Sequence, residues 1–322
     1  MKEIIFEEIG LPEEVLQLKE ATKPTPKPHE VQIQVKARNI NPSDLMFIQG
    51  RYGITPQLPS SAGFEASGII SKSDAEGKLP EGTRVMFSTL GTWREYLTMP
   101  ASQVIPIPEG MSFEVACQAF VNPITAVTMV QRADMKEGDW LLITAGASAF
   151  GKFAIQVAKA KGIKVACTVR HDAQKEYLRK VGADLVINTE VENLGKVIQE
   201  HITDGVDVVF DAVGGELGAT AMGCIKKRGK MFVFGALSMN PIPLNSGTLI
   251  FKELTIVGFW LSGELERIEG AQRSALFKET ISLLMKSDFQ TDIAETFDLS
   301  DFKLAIEKYN QLGRNGKIIL TS

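Results

Sequence analysis

The sequence predicts an α/β protein in which a doubly wound parallel-sheet domain is joined to an irregular antiparallel, barrel-like domain. Three observations carry that expectation. From Pro123 onward, short apolar runs alternate with amphipathic segments, the pattern of successive strand–helix units. Before about residue 120 the chain reads instead as short strands separated by Gly, Pro, Asp and Ser. Between Asp139 and Arg170 a strand, a glycine-bearing turn, a helix and a second strand follow one another within a single β-α-β unit.

In the first part, the Pro-rich turn Thr22–Pro28 precedes Val31-Gln32-Ile33-Gln34-Val35, whose alternation suits a half-buried strand. Ala66–Ile70 and Thr83–Phe87 are further strand candidates. In the second part the strands are expected at Trp140–Ala145, Lys164–Val169, Leu185–Ile187, Val206–Phe210, Met231–Gly235 and Leu254–Gly258. The first intervening helix carries Phe150, Ala154, Ile155, Val157 and Ala158 on its apolar face and stops near Gly162. The next runs from Asp172 to Lys180, with Gly182 beyond its end. The nearly continuous apolar run Val206–Phe210 fits a parallel sheet covered on both faces, Asp207 marking its entry. After Arg267 come helices Ser274–Met285 and Asp301–Asn310, then a turn and a terminal strand, Lys317–Leu320. The expected division is 1–120 for the barrel-like domain, 121–267 for the parallel-sheet domain, and 268–322 for a return to the first.

A chain of 322 residues has room for two domains, each with its own core. With 44% hydrophobic and 23% charged residues it reads as a soluble enzyme or binding protein. A net charge of −4 gives no support to nucleic-acid binding, which needs a concentrated basic face. The sharpest basic run, Lys226-Lys227-Arg228, reads as a helix end or solvated turn. The acidic N-terminus lacks the apolar core of a signal peptide, and no segment approaches the ~20 apolar residues of a membrane span. Cys117, Cys167 and Cys224 are widely separated and odd in number, which points to a reduced, cytoplasmic protein with buried thiols rather than disulfides or a metal pair.

The turn Gly146-Ala147-Ser148-Ala149-Phe150-Gly151 matches the dinucleotide fingerprint, whose glycines bend the chain and bring a helix N-terminus close to a pyrophosphate. Gly146, Ala147, Ser148, Ala149 and Gly151 are therefore assigned to cofactor binding, ordinary turn residues being the alternative. Ser148 stands where the middle glycine is usual and can present its N–H or hydroxyl to a phosphate, cap the helix, or do both. Arg170 follows the second strand, where an acid for the ribose hydroxyls is common. A guanidinium there can hold a 2'-phosphate bidentately, so the expected cofactor is NADPH; a solvated strand-end arginine is the plainer alternative. Lys175, one helical turn on, could reach the same phosphate, whereas His171 reads as surface.

Several further segments come in a telling order: Asn41-Pro42-Ser43-Asp44, Gly63-Phe64-Glu65, Gly91-Thr92-Trp93-Arg94-Glu95-Tyr96, the nucleotide turn, Val208–Gly215 and Gly316-Lys317-Ile318-Ile319-Leu320. Together they resemble the medium-chain dehydrogenases/reductases over nearly the whole chain. That resemblance implies a Rossmann-type nucleotide domain and a GroES-like catalytic domain. It also implies that Val208–Gly215, with Asp211, passes beneath the cofactor, and that Gly235 lies at the next strand tip. Asn122 and Thr125 are expected to contribute to the cleft between the domains, Thr125 as a cofactor-binding residue, with helix capping as the alternative for each. Zinc-dependent members place cysteine and histidine where Asn41 and Phe64 stand here, and neither replacement can serve as that ligand. Asp44 and Glu65 survive, but two carboxylates alone make no catalytic zinc site, and Glu65 is left without an assigned step. His29, His171 and His201 show no ligand spacing. The expectation is a metal-free member.

Within the metal-free members, Asn41–Asp44, Gln49-Gly50-Arg51-Tyr52-Gly53, Gly91–Arg94 and Val121–Ala126 resemble the 2-enoyl thioester reductases of the mitochondrial fatty-acid synthesis type. The resemblance carries a catalytic tyrosine over to Tyr52, which suits a proton donor, while Asn41 or a backbone N–H could orient substrate. A phenol, with pKa ~10, is protonated at neutral pH and can pass its proton directly or through one water. From the residues alone, Tyr52 could equally be a loop aromatic packed over a domain edge. NADPH:quinone oxidoreductases, which share Asn41-Pro42, and non-catalytic NADPH-binding proteins are the alternatives. The apolar strand Leu254–Phe259 could form a sheet edge that pairs with its symmetry mate, giving a homodimer.

Overall fold

In the computed structural model all residues except 75, 78, 287–290 and 312 are described. The chain forms two units: Met1–Val121 with Thr291–Ser322, and Asn122–Gln290.

In the first unit, alternating Val31, Ile33 and Val35 point one face of strand Glu30–Asn39 into a core shared with Ala66, Ile70, Val85 and Phe87. The sheet runs in the order Ile293–Asp298, Lys317–Thr321, Glu30–Asn39, Glu65–Lys72, Arg84–Ser88, Ile105–Pro106, with Tyr96–Pro100 also paired to Glu30–Asn39. Its pairings are antiparallel apart from Ile293–Asp298 beside Lys317–Thr321. A smaller sheet joins Gln17–Glu20, Lys2–Phe6 and Ser60–Ser61. The terminal strand lies against Glu30–Asn39 with Leu320 opposite Arg38 and Ile319 opposite Asn39. The buried Arg38 guanidinium secures it, donating to the Leu320 carbonyl at 3.3 Å and to Ser322 Oγ at 3.0 Å. The tail grouped with Met1–Val121 begins at Thr291, whereas the expected division set it at residue 268. Helix Gly270–Leu284 belongs to the second unit, where Gln131 Nε2 donates to Glu279 at 2.7 Å.

The second unit holds six parallel strands in the order Leu185–Asn188, Lys164–Val169, Trp140–Ile143, Val206–Asp211, Ile225–Val233, Thr255–Gly258. Numbered along the chain this is 3-2-1-4-5-6, the order of a dinucleotide-binding sheet. Leu141, Leu142, Ile143, Val209 and Phe210 at its centre are fully buried, as apolar runs covered on both faces should be. One local expectation fails. Lys226-Lys227-Arg228 lie within strand Ile225–Val233 rather than in a helix end or turn, although Lys227 and Arg228 are exposed to solvent. Acids opposite them explain it: Lys226 pairs with Asp207, and Lys227 and Arg228 both pair with Glu253 at 2.8 Å. Short helices at Ser246–Phe251 and Leu261–Arg267 were not foreseen. Among the described residues no helix is long and apolar enough to cross a membrane.

Candidate active site and cofactor turn

The order of the parallel sheet reverses between Trp140–Ile143 and Val206–Asp211, where ligands bind at the carboxyl ends of such strands. The turn leaving the first strand is closely packed at both of its glycines. A Cβ on Gly146 would lie 2.6 Å from Cys167 Cβ, and one on Gly151 only 2.4 Å from the Gly146 carbonyl oxygen. Ser148 is the N-cap of helix Ala149–Ala160, its Oγ accepting the Gly151 N–H at 3.0 Å. The amides of Ala149 and Phe150, at the first two helical positions, have no intrahelical acceptor, which suits an anion such as a pyrophosphate. Ala147, Ser148 and Ala149 are half-buried, so the turn is framed by packing yet open at its tip.

Arg170 is exposed immediately after strand Lys164–Val169. Lys175 begins the following helix, and its ammonium is engaged by Asp172 at 3.1 Å and by Glu192. Glu192 also accepts the Asn188 N–H at 2.8 Å, and the Lys175 bond holds its carboxyl below the ordinary range. Gly235 is half-buried and so close to the neighbouring loop that a Cβ would meet the Ala212 carbonyl oxygen at 2.6 Å. Asn122 and Thr125 are the second and fifth residues of helix Val121–Ala133, so Thr125 is no cap. Asp211 departs from its expected direct contact with the cofactor. It is fully buried, and its carboxylate accepts Thr144 Oγ1 at 2.7 Å, Val213 N–H at 3.1 Å and Gly214 N–H at 3.0 Å. It braces the loop that leaves its own strand.

The first unit contains a buried polar cluster around Asn41. Asn41 caps helix Pro42–Ile48 in a reciprocal box with Asp44, whose Oδ2 accepts the Asn41 N–H at 2.7 Å. Asn41 Nδ2 donates to Glu65 Oε1 at 2.8 Å and to Asn39 Oδ1 at 3.0 Å. Asn39 Nδ2 reaches the same Glu65 oxygen at 2.7 Å, while Glu65 Oε2 accepts the N–H groups of Val121 at 2.8 Å and Phe120 at 3.3 Å. Lys317 Nζ donates to Asn41 Oδ1. The side chains of Asn39, Asn41, Asp44, Glu65 and Lys317 are all buried. Sequence reading left Glu65 without a role and missed Lys317 and Asn39. The spacing Asn39-x-Asn41 at a strand end was a usable signal for Asn39, since alternate residues share a face. Asn41 also needs correction: both directions of its amide donor are spent inside the cluster, so it anchors the helix rather than offering donors to a substrate.

A catalytic zinc does not fit these residues. Glu65 is saturated by N–H donors, and the Lys317 ammonium lies against Asn41, where a ligand atom would have to be free. Phe64 carries no donor; its ring packs 5.6 Å from that of Phe47 and 5.1 Å from that of Tyr52. Among the described residues no group of three or more His, Cys, Asp or Glu is placed to hold a metal ion. Tyr52 is half-buried on this aromatic layer. The backbone before it is tied to helix Pro42–Ile48 by Gly50 N–H to Phe47 O at 3.0 Å and Arg51 N–H to Met46 O at 2.8 Å.

Burial pushes the Asp44 carboxyl up from 3.8 to about 8, against the opposing pull of the Asn41 N–H and of Lys317. The folded state therefore holds a proton there that the unfolded chain has released, and the associated stability is lost as pH rises toward and through 8. Asp44→Asn keeps an acceptor for the Asn41 N–H but cannot titrate. Its thermal midpoint is expected to fall less than that of the wild type between about pH 6 and pH 9. Parallel melting curves across that range check this; equal slopes would remove Asp44 as their source.

Residues 149–276 match the zinc-binding dehydrogenase family and residues 27–109 the alcohol dehydrogenase GroES-like domain. The chain is 34% identical over 270 residues to the mitochondrial enoyl-[acyl-carrier-protein] reductase of Caenorhabditis elegans, covering 81% of this chain and 77% of that protein. The corresponding human reductase is 28% identical over 331 residues, covering 100% of this chain and 88% of that protein. Among solved structures, Escherichia coli quinone oxidoreductase complexed with NADPH superposes with a TM-score of 0.91 at 30% identity, with 100% of both chains covered. With its two folds, its dinucleotide-type turn and its lost metal ligands in place, the chain belongs to the medium-chain dehydrogenase/reductase family as a zinc-independent member.

Proposed function

We propose that the protein is an NADPH-dependent reductase of activated carbon–carbon double bonds, with trans-2-enoyl thioesters as its substrates. The observation that carries this reading is Tyr52, seated on the ring of Phe64 where a zinc ligand has been lost. NADPH, when bound, supplies the hydride. The chain supplies the rest. The glycine turn and the open amides of Ala149 and Phe150 suit the pyrophosphate, and Arg170 suits the 2'-phosphate. Reduction at the β carbon leaves negative charge on the thioester oxygen and requires a proton at the α carbon. Tyr52 provides that proton from its phenol, directly or through one water.

A panel of acceptors tests the assignment. Purified protein is expected to oxidise NADPH with trans-2-enoyl-CoA and much more slowly with simple quinones. The reverse order would sink it in favour of an NADPH:quinone oxidoreductase, the reading favoured by full-length likeness to the bacterial enzyme. NADPH binding without turnover of any acceptor would favour a non-catalytic role. Because Lys175 is already paired with two acids, Arg170 is expected to carry more of the phosphate recognition. Arg170→Ala should reduce the NADPH-over-NADH preference in kcat/KM by about tenfold or more, a charge-assisted bidentate contact having that worth. An unchanged ratio would exclude Arg170 as the phosphate ligand.

A homodimer suits the second unit. Strand Thr255–Gly258 is the last of its sheet, and Ile250 and Phe251 nearby in sequence are 64% and 79% exposed. A symmetry mate paired along that edge would cover them. Sedimentation velocity at micromolar concentration should give a dimer, and Ile256→Lys should shift it toward monomer. The three free, buried cysteines suit a reducing compartment such as the cytoplasm.

A further inference from the structure

Lys317 stands on the terminal strand, 276 residues from Asn41, and is buried in a core that has no need of an ammonium for packing. A buried Lys requires a partner, and its Nζ has one in Asn41 Oδ1. On the other side of the same amide, Glu65 accepts from Nδ2 at 2.8 Å. Lysine can only donate and carboxylate can only accept, so the two together permit one orientation of the Asn41 amide. Asn41 in turn starts helix Pro42–Ile48 through its box with Asp44, and that helix ties the backbone as far as Arg51. Phe64, the neighbour of Glu65 in sequence, packs its ring 5.1 Å from that of Tyr52. Both the segment leading to Tyr52 and the ring packed against it are therefore joined in sequence to residues of one polar cluster.

We propose that Lys317 is a positioning residue: with Glu65 it locks Asn41, and through Asn41 it fixes the helix and following segment that present Tyr52. In a chain whose residues do not fit zinc, a fixed side-chain cation holds the cluster together. The inference rests on the assignment of Tyr52 as proton donor. It adds a residue at the far end of the sequence that neither touches substrate nor transfers a proton.

Lys317→Met removes the donor while keeping similar bulk. Lys317→Gln retains an N–H for Asn41 without the charge, and guards against a fold lost to an unsatisfied Asn41 Oδ1. In full-length protein, Lys317→Met is expected to lower kcat for trans-2-enoyl-CoA about tenfold and Lys317→Gln less, with the NADPH dissociation constant, read by fluorescence titration, within about twofold of wild type. In the Tyr52→Phe background Lys317→Met should cost little more, because its effect passes through the missing hydroxyl. A residue of general structural value would give additive losses. Hydrogen exchange followed by mass spectrometry provides a readout independent of turnover: amides of residues 41–52 should exchange faster in both variants, those of strands 140–143 and 206–211 unchanged.

Unchanged kcat or unchanged exchange in residues 41–52 would overturn the proposal, as would additivity with Tyr52→Phe, a loss confined to NADPH binding, or failure of both variants to fold. A wrong substrate assignment shows itself differently, as wild-type protein that reduces quinones and not enoyl thioesters while Lys317→Met still loosens residues 41–52.

Discussion

Tyr52→Phe is expected to lower kcat with trans-2-enoyl-CoA by about 10²-fold, the lower range for removal of a positioned general acid. The substitution is well isolated. The ring that lies 5.1 Å from Phe64 is retained, and so is the contact of that layer with Phe47. Only the hydroxyl is lost. The turn proposed to hold the cofactor lies in the other unit of the chain and depends on Gly146, Ser148 and Gly151, so the NADPH dissociation constant should stay within about twofold. Steady-state kinetics paired with a fluorescence titration separates these effects. A kcat equal to wild type would assign the proton to water or to another group and leave Tyr52 as pocket wall. A matching loss with quinone acceptors would show that the tyrosine serves the fold of the pocket more than the protonation of carbon.

How much of this was readable beforehand follows from the range of the interactions involved. The geometry of the turn at 146–151 was legible because its determinants are local: Ser148 caps an amide three residues away, and Gly151 is required by a carbonyl five residues back. The strands of the parallel sheet were legible for the same reason, each being an apolar run closed by glycine or a polar residue. The polar cluster was not. Lys317 meets Asn41 only because the terminal strand is laid beside Glu30–Asn39, and no periodicity reports a pairing of that separation. Asp211 was placed beneath the cofactor by family resemblance, but its role as a brace depends on Thr144, which arrives from the turn after another strand. Lys226–Arg228 misled in one respect only: their charge correctly suggested solvent, but they lie in a strand, where acids from other segments pair with them. Lys175 carries the same lesson, since Glu192, which occupies it, arrives from beyond the next strand.

The largest expected effect on cofactor binding comes from a single methyl group at Gly151. Two opposing terms decide its sign. Gly151 is helical, and in a helix interior alanine is favoured over glycine by about 1 kcal/mol. Against this, the new Cβ would lie 2.4 Å from the Gly146 carbonyl oxygen, 2.7 Å from its carbonyl carbon and 2.8 Å from its Cα. All three are backbone atoms, so no rotamer change relieves the overlap. Helix and turn must separate, and such overpacking costs roughly 1–3 kcal/mol. The clash therefore outweighs the propensity gain. It also falls where it matters, because the movement carries the amides of Ala149 and Phe150 away from the turn and strains the Ser148 cap on the Gly151 N–H. Gly151→Ala should raise the NADPH dissociation constant by about 30-fold or more, roughly 2 kcal/mol. Ser148→Ala provides the comparison, since it removes the cap at a stability cost of about 1 kcal/mol without moving the backbone, and its effect on the dissociation constant should be several times smaller. Titration of both variants alongside thermal melts tests the ordering. If Gly151→Ala bound NADPH as well as Ser148→Ala at equal stability, the close approach of helix to turn would not be what positions the phosphate, and the cofactor site would have to lie elsewhere on the sheet.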